Sequence, residues 1–144
     1  MAHSIIDGHA FCFPSLRNSA GYEDPEELRL LLQQAMGTHY QRAWRSADRS
    51  TGDTDALMDL SRWWGLESLR ASDFHAASHG RFEWTSGKDT LVKQFMAPSI
   101  ASMSYSADQL IAEMDYAGVQ TAVLSRNPYL GVGNDFLVDA VGKY

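Results

Sequence analysis

The chain has 144 residues, 44% hydrophobic and 21% charged, enough for one globular domain that buries about 68–70% of its unfolded surface. A formal charge of −6 and a pI near 5.2 argue against a general nucleic-acid or anionic-membrane surface, and four Trp, six Tyr and six Phe argue against disorder. The single cysteine, Cys12, excludes an intrachain disulfide and a Cys-rich zinc site and fits a reduced, cytoplasmic setting. Met1-Ala2-His3-Ser4 offers no basic region leading into a long apolar run, so no secretory signal is expected. Nowhere do about eighteen apolar residues follow one another, so no membrane span is expected either.

Ile5 and Ile6 are β-branched and predict a brief buried strand. It runs into Asp7, Gly8 and His9, which puts His9 at the carboxyl end of a strand, where α/β folds place their chemistry. A histidine there can be a metal ligand, a general base or a hydrogen-bonded core residue. Pro14 ends the strand region by holding Phe13 extended. Asp24-Pro25-Glu26-Glu27 is a strong helix start, with Asp24 as cap, Pro25 at the first helical position and carboxylates in the first turn. The apolar spacing from Leu28 to Trp44 extends that helix to about Arg45, with a bend possible at Gly37 and His39 as a partly exposed helical side chain.

Residues 46–54 form a polar connection. A second, shorter helix is expected from Asp53 or Thr54, through Leu57, Met58, Ser61 and Trp64, ending at Gly65. Periodicity then fades from Leu66 to Gly80. His75 and His79 stand four apart, but the intervening Ala76, Ala77 and Ser78 supply no carboxylate, which weakens a helical two-His metal motif. Arg81 to Thr85, the turn Ser86-Gly87-Lys88-Asp89 and Thr90 to Met96 predict a hairpin, with Phe82 and Trp84 packed on one face. Arg81 with Trp84 is a candidate for lining a carboxylate pocket, against simple packing of the hairpin. Ser106-Ala107-Asp108-Gln109 reads as a capping box for a helix carrying Leu110, Ile111, Met114 and Ala117 and stopped by Gly118. Val119 to Leu124 reads as a buried strand, and helix, Gly cap and strand together are half of a βαβ unit. In the following loop Asn127, Tyr129 and Asn134 are either site residues or turn formers, and Asn134 is expected to cap a final helix.

Three of these stretches resemble a known family. Ile5-Ile6-Asp7-Gly8-His9-Ala10-Phe11 is similar to strand one of the amidohydrolase superfamily, in the amidohydrolase-related branch that includes aminocarboxymuconate-semialdehyde decarboxylase and resorcylate decarboxylases. Gly80-Arg81-Phe82-Glu83-Trp84-Thr85 resembles that branch's inserted hairpin. Met114-Asp115-Tyr116-Ala117-Gly118-Val119-Gln120-Thr121-Ala122-Val123-Leu124 is a form of its MDxxGVxxAVL helix-to-strand passage. The resemblance implies an α/β fold, an incomplete (β/α)8 TIM barrel in which residues 1–144 are the amino-terminal part of one domain. The first two barrel strands would be separated by a helical and β-hairpin insertion from about Asp24 to Ser104.

The resemblance also implies a divalent metal, zinc first among them, held by a His-x-His or Glu-x-His pair on strand one and by residues of later strands. His9 matches a ligand position, with Asp7 as an orienter of it. The partner position holds Phe11, which cannot bind metal, although residues i and i+2 of a strand reach the same side. Cys12 is either a soft ligand or a buried structural thiol. The implied activity is metal-dependent hydrolysis or nonoxidative decarboxylation of a small carboxylated or cyclic substrate, by an incomplete copy of the enzyme. The alternative is a non-catalytic binding or subunit module, associating through open barrel faces, as a homo-oligomer for example. A truncated product without a role of its own is the third possibility. Neither nucleic acid nor membrane is an expected partner.

Overall fold

Alternating aromatic and polar side chains at Arg81–Ser86 pair with Asp89–Gln94 over six positions, the longest pairing among the described residues. A computed structural model describes residues 4–53, 57–62, 65–69 and 73–144. The strands are β1 (Ile6–Ala10), β2 (Trp44–Arg45), β3 (His75–Ala76), β4 (Arg81–Ser86), β5 (Asp89–Gln94) and β6 (Thr121–Leu124), and the helices are α1 (Pro25–Thr38), α2 (Ala107–Ala117) and α3 (Asn134–Lys143). Strands β2-β5-β4-β3 form an antiparallel sheet, and β1 pairs with β6 in a separate parallel one. The fold is therefore mixed α/β, and among the described residues neither sheet closes into a barrel. Among those residues no helix is long and apolar enough to cross a membrane.

The antiparallel sheet and α1 share one core. Phe82 and Trp84 point from β4 to the same side, as period-two alternation requires, and are buried with Leu28, Leu32, Met36, Phe74 and Leu91. The rings of Phe74 and Phe82 stack at 5.4 Å. Gly37 on α1 leaves room for Met58: a Cβ there would lie 2.2 Å from the Met58 sulfur. The Arg45 guanidinium bonds Asp89 at 2.9 Å and the Thr51 carbonyl at 2.7 Å, fastening β2 to β5.

Helix α1 stops at Thr38, seven residues short of the expected end at Arg45, because its last carbonyls have another partner. Lys93, fully buried on β5, donates its ammonium to the carbonyls of Met36 and His39, the latter at 2.9 Å. A cation at the negative end of a helix is well placed. Burial nevertheless pushes the Lys93 amine down to about 8. Beyond that stop Trp44 turns into β2, opposite Val92. His39 lies just past the helix, its ring edge-on to Phe95 at 5.4 Å, and burial together with the Lys93 charge lowers its pKa.

The expected second helix does not form among the described residues around it. Leu57 and Met58 are buried, but Met58 bridges Leu69 in extended pairing. The described residues between them make two short turns of 3₁₀ helix, Leu60–Arg62 and Leu66–Ser68. Thr54 and Trp64, assigned to that helix from sequence, lie outside the described residues.

The long excursion is closed at its base. Phe13 and Tyr105 exchange backbone hydrogen bonds of 2.7 and 3.0 Å, and the Leu16 amide bonds the Met103 carbonyl at 2.9 Å. The chain thus leaves the β1 region and returns to α2 at one point. The capping box at Ser106 and Gln109 forms as expected, and Gly118 ends α2 in the left-handed region at φ 72. Gln120 then ties this cap to β1: its side chain donates to the Gly118 carbonyl at 2.7 Å and accepts the Ile5 amide at 2.6 Å.

Two expectations of burial fail here. Ile5, Ile6 and Val123 are exposed, because α2 and α3 do not cover the whole of a two-stranded sheet. The third helix also starts differently, with Gly133 at the cap and no side-chain cap bond from Asn134.

Candidate functional site

The residues singled out at the start of the chain open onto a cleft of about 610 Å³. Asp7, His9 and Phe11 come from β1 and the residue after it. Asn127 comes from the loop after β6, and Tyr105 and Glu113 from the start and body of the α2 segment. The cleft therefore gathers side chains from the carboxyl ends of both parallel strands, the place where α/β sheets hold ligands. Phe95, Met96 and Ile100 supply apolar wall from the far end of the hairpin sheet.

A local irregularity presents His9. The β1–β6 register shifts between Asp7 and Ala10, and the Asp7 carboxylate accepts the His9 backbone amide at 2.9 Å. One amide is thereby satisfied outside the ladder, as a bulge requires. Asp7 orients His9 through its backbone, which differs from the ring-to-carboxylate bond expected of an outer partner of a metal ligand. The His9 ring is exposed, meets the Phe11 ring edge-on at 4.7 Å, and has no hydrogen-bond partner among the described residues.

The opposite wall carries a pair that the sequence reading missed. Tyr105 and Glu113 both line it, and burial, followed by the nearby Glu113 carboxylate, pushes the Tyr105 phenol up to about 12. Tyr105 is thus held protonated. Neither residue is close to His9 in sequence and neither spacing is diagnostic. The signal that could have found them is the capping box at Ser106, which fixes the start of α2 and hence the side of it on which Glu113 falls. Asn127 uses its side-chain oxygen to accept the Tyr129 amide at 3.0 Å, so it is a turn former that also reaches the cleft.

The remaining candidates separate from this site. Cys12 is buried and lines a different cleft, beneath α2 and α3; burial raises its thiol pKa, as for a structural cysteine. His75 lies in β3 with its Nδ1 donating to the Asp73 carbonyl at 2.8 Å, and His79 sits in a turn with φ 57, so the pair shares no helix. Trp84 is in the core, while Arg81, three residues earlier on the same strand, bonds the Ser78 carbonyl at 3.1 Å; the two do not line one pocket. Tyr129 and Asn134 stay outside the His9 cleft.

Among the described residues no three His, Cys, Asp or Glu side chains come together to hold a metal ion. Comparison with protein-family models, with curated proteins and with solved structures gives no match for this chain.

Proposed function

We propose that β1 and β6 correspond to the first two strands of an amidohydrolase-related barrel, and that their cleft is of the kind that takes a small carboxylated or cyclic substrate for hydrolysis or nonoxidative decarboxylation. The observation that carries this reading is the joint placement of Asp7 and His9, with Asn127, around one substrate-sized cleft at the carboxyl ends of two parallel strands. A volume of about 610 Å³ lies within the range of small-molecule sites. The strand–helix–strand–helix order of β1, α2, β6 and α3, once the excursion is set aside, supports it as well.

His9 is the residue that the resemblance assigns to zinc. Among the described residues the donors do not fit a resident catalytic zinc, which takes three protein ligands: Phe11 fills the neighbouring position and packs on the His9 ring. The cleft is thus a binding cleft that retains one residue at a family ligand position, His9. Equilibrium dialysis of the chain against zinc tests this. The expected result is weak binding that is lost in His9→Ala; one equivalent of zinc retained through dialysis against a chelator overturns it.

A second reading, a subunit module that associates with another copy of itself, is favoured by the exposure of Ile6, Val123, Val138 and Val141 along the parallel sheet and α3. Large apolar side chains on a sheet with open edges invite pairing. Sedimentation analysis decides it: a monomer at all concentrations, with a sharp thermal transition, removes this reading.

A further inference from the structure

Sharing no lining residue with the His9 cleft, a recess of about 640 Å³ opens between the loop after β1, the first turns of α1 and the start of β3. Its base is apolar: Leu16, Leu28, Leu32 and Phe74 are each at most 4% exposed. Its rim is polar, and Arg17 stands out there. The Arg17 Nε donates to the Ala77 carbonyl, which fixes the plane of the guanidinium and leaves both terminal amino groups without a partner among the described residues.

The other charges on this rim are already paired. Arg29 is held by the Glu26 carboxylate, at i and i+3 on α1, and by the Gln33 side-chain oxygen at 2.6 Å. Asp73, close by in sequence, turns its carboxylate to the Thr85 amide at 3.0 Å. His75 donates through Nδ1 to the Asp73 carbonyl. The rim thus presents one anchored, uncompensated cation above an apolar base. A guanidinium with its plane fixed and two amino groups free matches a carboxylate, which it binds through two parallel hydrogen bonds.

We propose that this recess is a second small-molecule site, for an organic monocarboxylate whose apolar body rests on Leu28, Leu32 and Phe74 while its carboxylate pairs with Arg17. It is separate from the His9 cleft and does not depend on the function proposed for that cleft.

The test is a titration of the chain with 2-naphthoate, followed by amide chemical shifts, with 2-naphthamide as the uncharged probe of the same shape. Saturable binding is expected, with shifts centred on Leu28, Leu32 and Ala76. Affinity should fall by about tenfold or more for the amide and for Arg17→Met, less for Arg17→Lys, and should be unchanged in His9→Ala. The shift map on the unmodified chain stands even where a variant folds poorly. The proposal is overturned by absence of saturation up to about 10 mM probe, by equal binding of acid and amide, by undiminished binding to a folded Arg17→Met, or by shifts centred on Phe11 and Tyr105.

Discussion

In β4 and β5 the side chains of Phe82, Trp84, Leu91 and Val92 are each at most 2% exposed, whereas in β1 and β6 those of Ile6 and Val123 are 61% and 52% exposed. The hairpin sheet reaches its burial with near neighbours: a tight turn pairs β4 with β5 over six residues, and α1 and Phe74 cover the face that carries Phe82 and Trp84. The parallel pair is joined across more than a hundred residues, and a parallel sheet is stable only with both faces covered. Here α2 contributes no buried residue, and what holds α3 to it includes an exposed pair, Lys143 with Asp108 at 2.5 Å, of a kind worth little in water. The segment inserted between the two parallel strands is therefore the stable body of the molecule, and the strands that carry the candidate site lean on it.

This contrast can be broken most forcefully in the core. Phe82→Ala removes a ring stacked on Phe74 and should cost about 4 kcal/mol in urea unfolding; a loss below about 1 kcal/mol would place the core elsewhere. Lys93→Met keeps the stem but leaves the Met36 and His39 carbonyls at the end of α1 unpaired, a loss of about 2 kcal/mol. The same variant should change the pH dependence. The folded lysine titrates near 8 and the unfolded one near 10.5, so between those values the unfolded chain binds more protons, and stability rises as pH rises from about 8 to 10.5. Below pH 8 both states carry the charge and this slope vanishes. Lys93→Met should abolish the rise; an equal rise in the variant would assign it to other groups.

Smaller effects belong to the parallel half. Ser106→Ala removes one arm of the capping box, the 3.2 Å bond to the Gln109 amide, and should cost about 1 kcal/mol. Val123→Ala, on an exposed strand, should change stability by less than about 0.5 kcal/mol when the chain is monomeric. A larger loss that grows with protein concentration would instead mark β6 as an interface between copies.

Much of the hairpin region was legible because its signals are local. The alternation from Arg81 to Thr85, the Ser86-Gly87-Lys88-Asp89 turn, the capping box at Ser106 and the Gly118 stop each depend on residues within one turn or one strand. The end of α1 was not legible, since what stops it is Lys93, a side chain more than fifty residues away. Nor were β2 and β3, two-residue strands that exist because β4 and β5 offer edges to pair with. At the candidate site, His9 and Asp7 could be singled out from their strand-end position. Tyr105 and Glu113 were legible only in part: the capping box at Ser106 sets the side of α2 on which Glu113 falls, but the closure of the excursion at Phe13 and Tyr105 is what carries them to the cleft. The apolar composition of Ile5, Ile6 and Val123 predicted burial, and composition alone does not say whether anything lies on top.

Native-state amide hydrogen exchange tests the division of the molecule most directly. The amides of β4 and β5 should exchange only through global unfolding, with the free energy measured in urea, while those of β1 and β6 exchange through cheaper local opening. Equal protection in the two sheets would contradict the account.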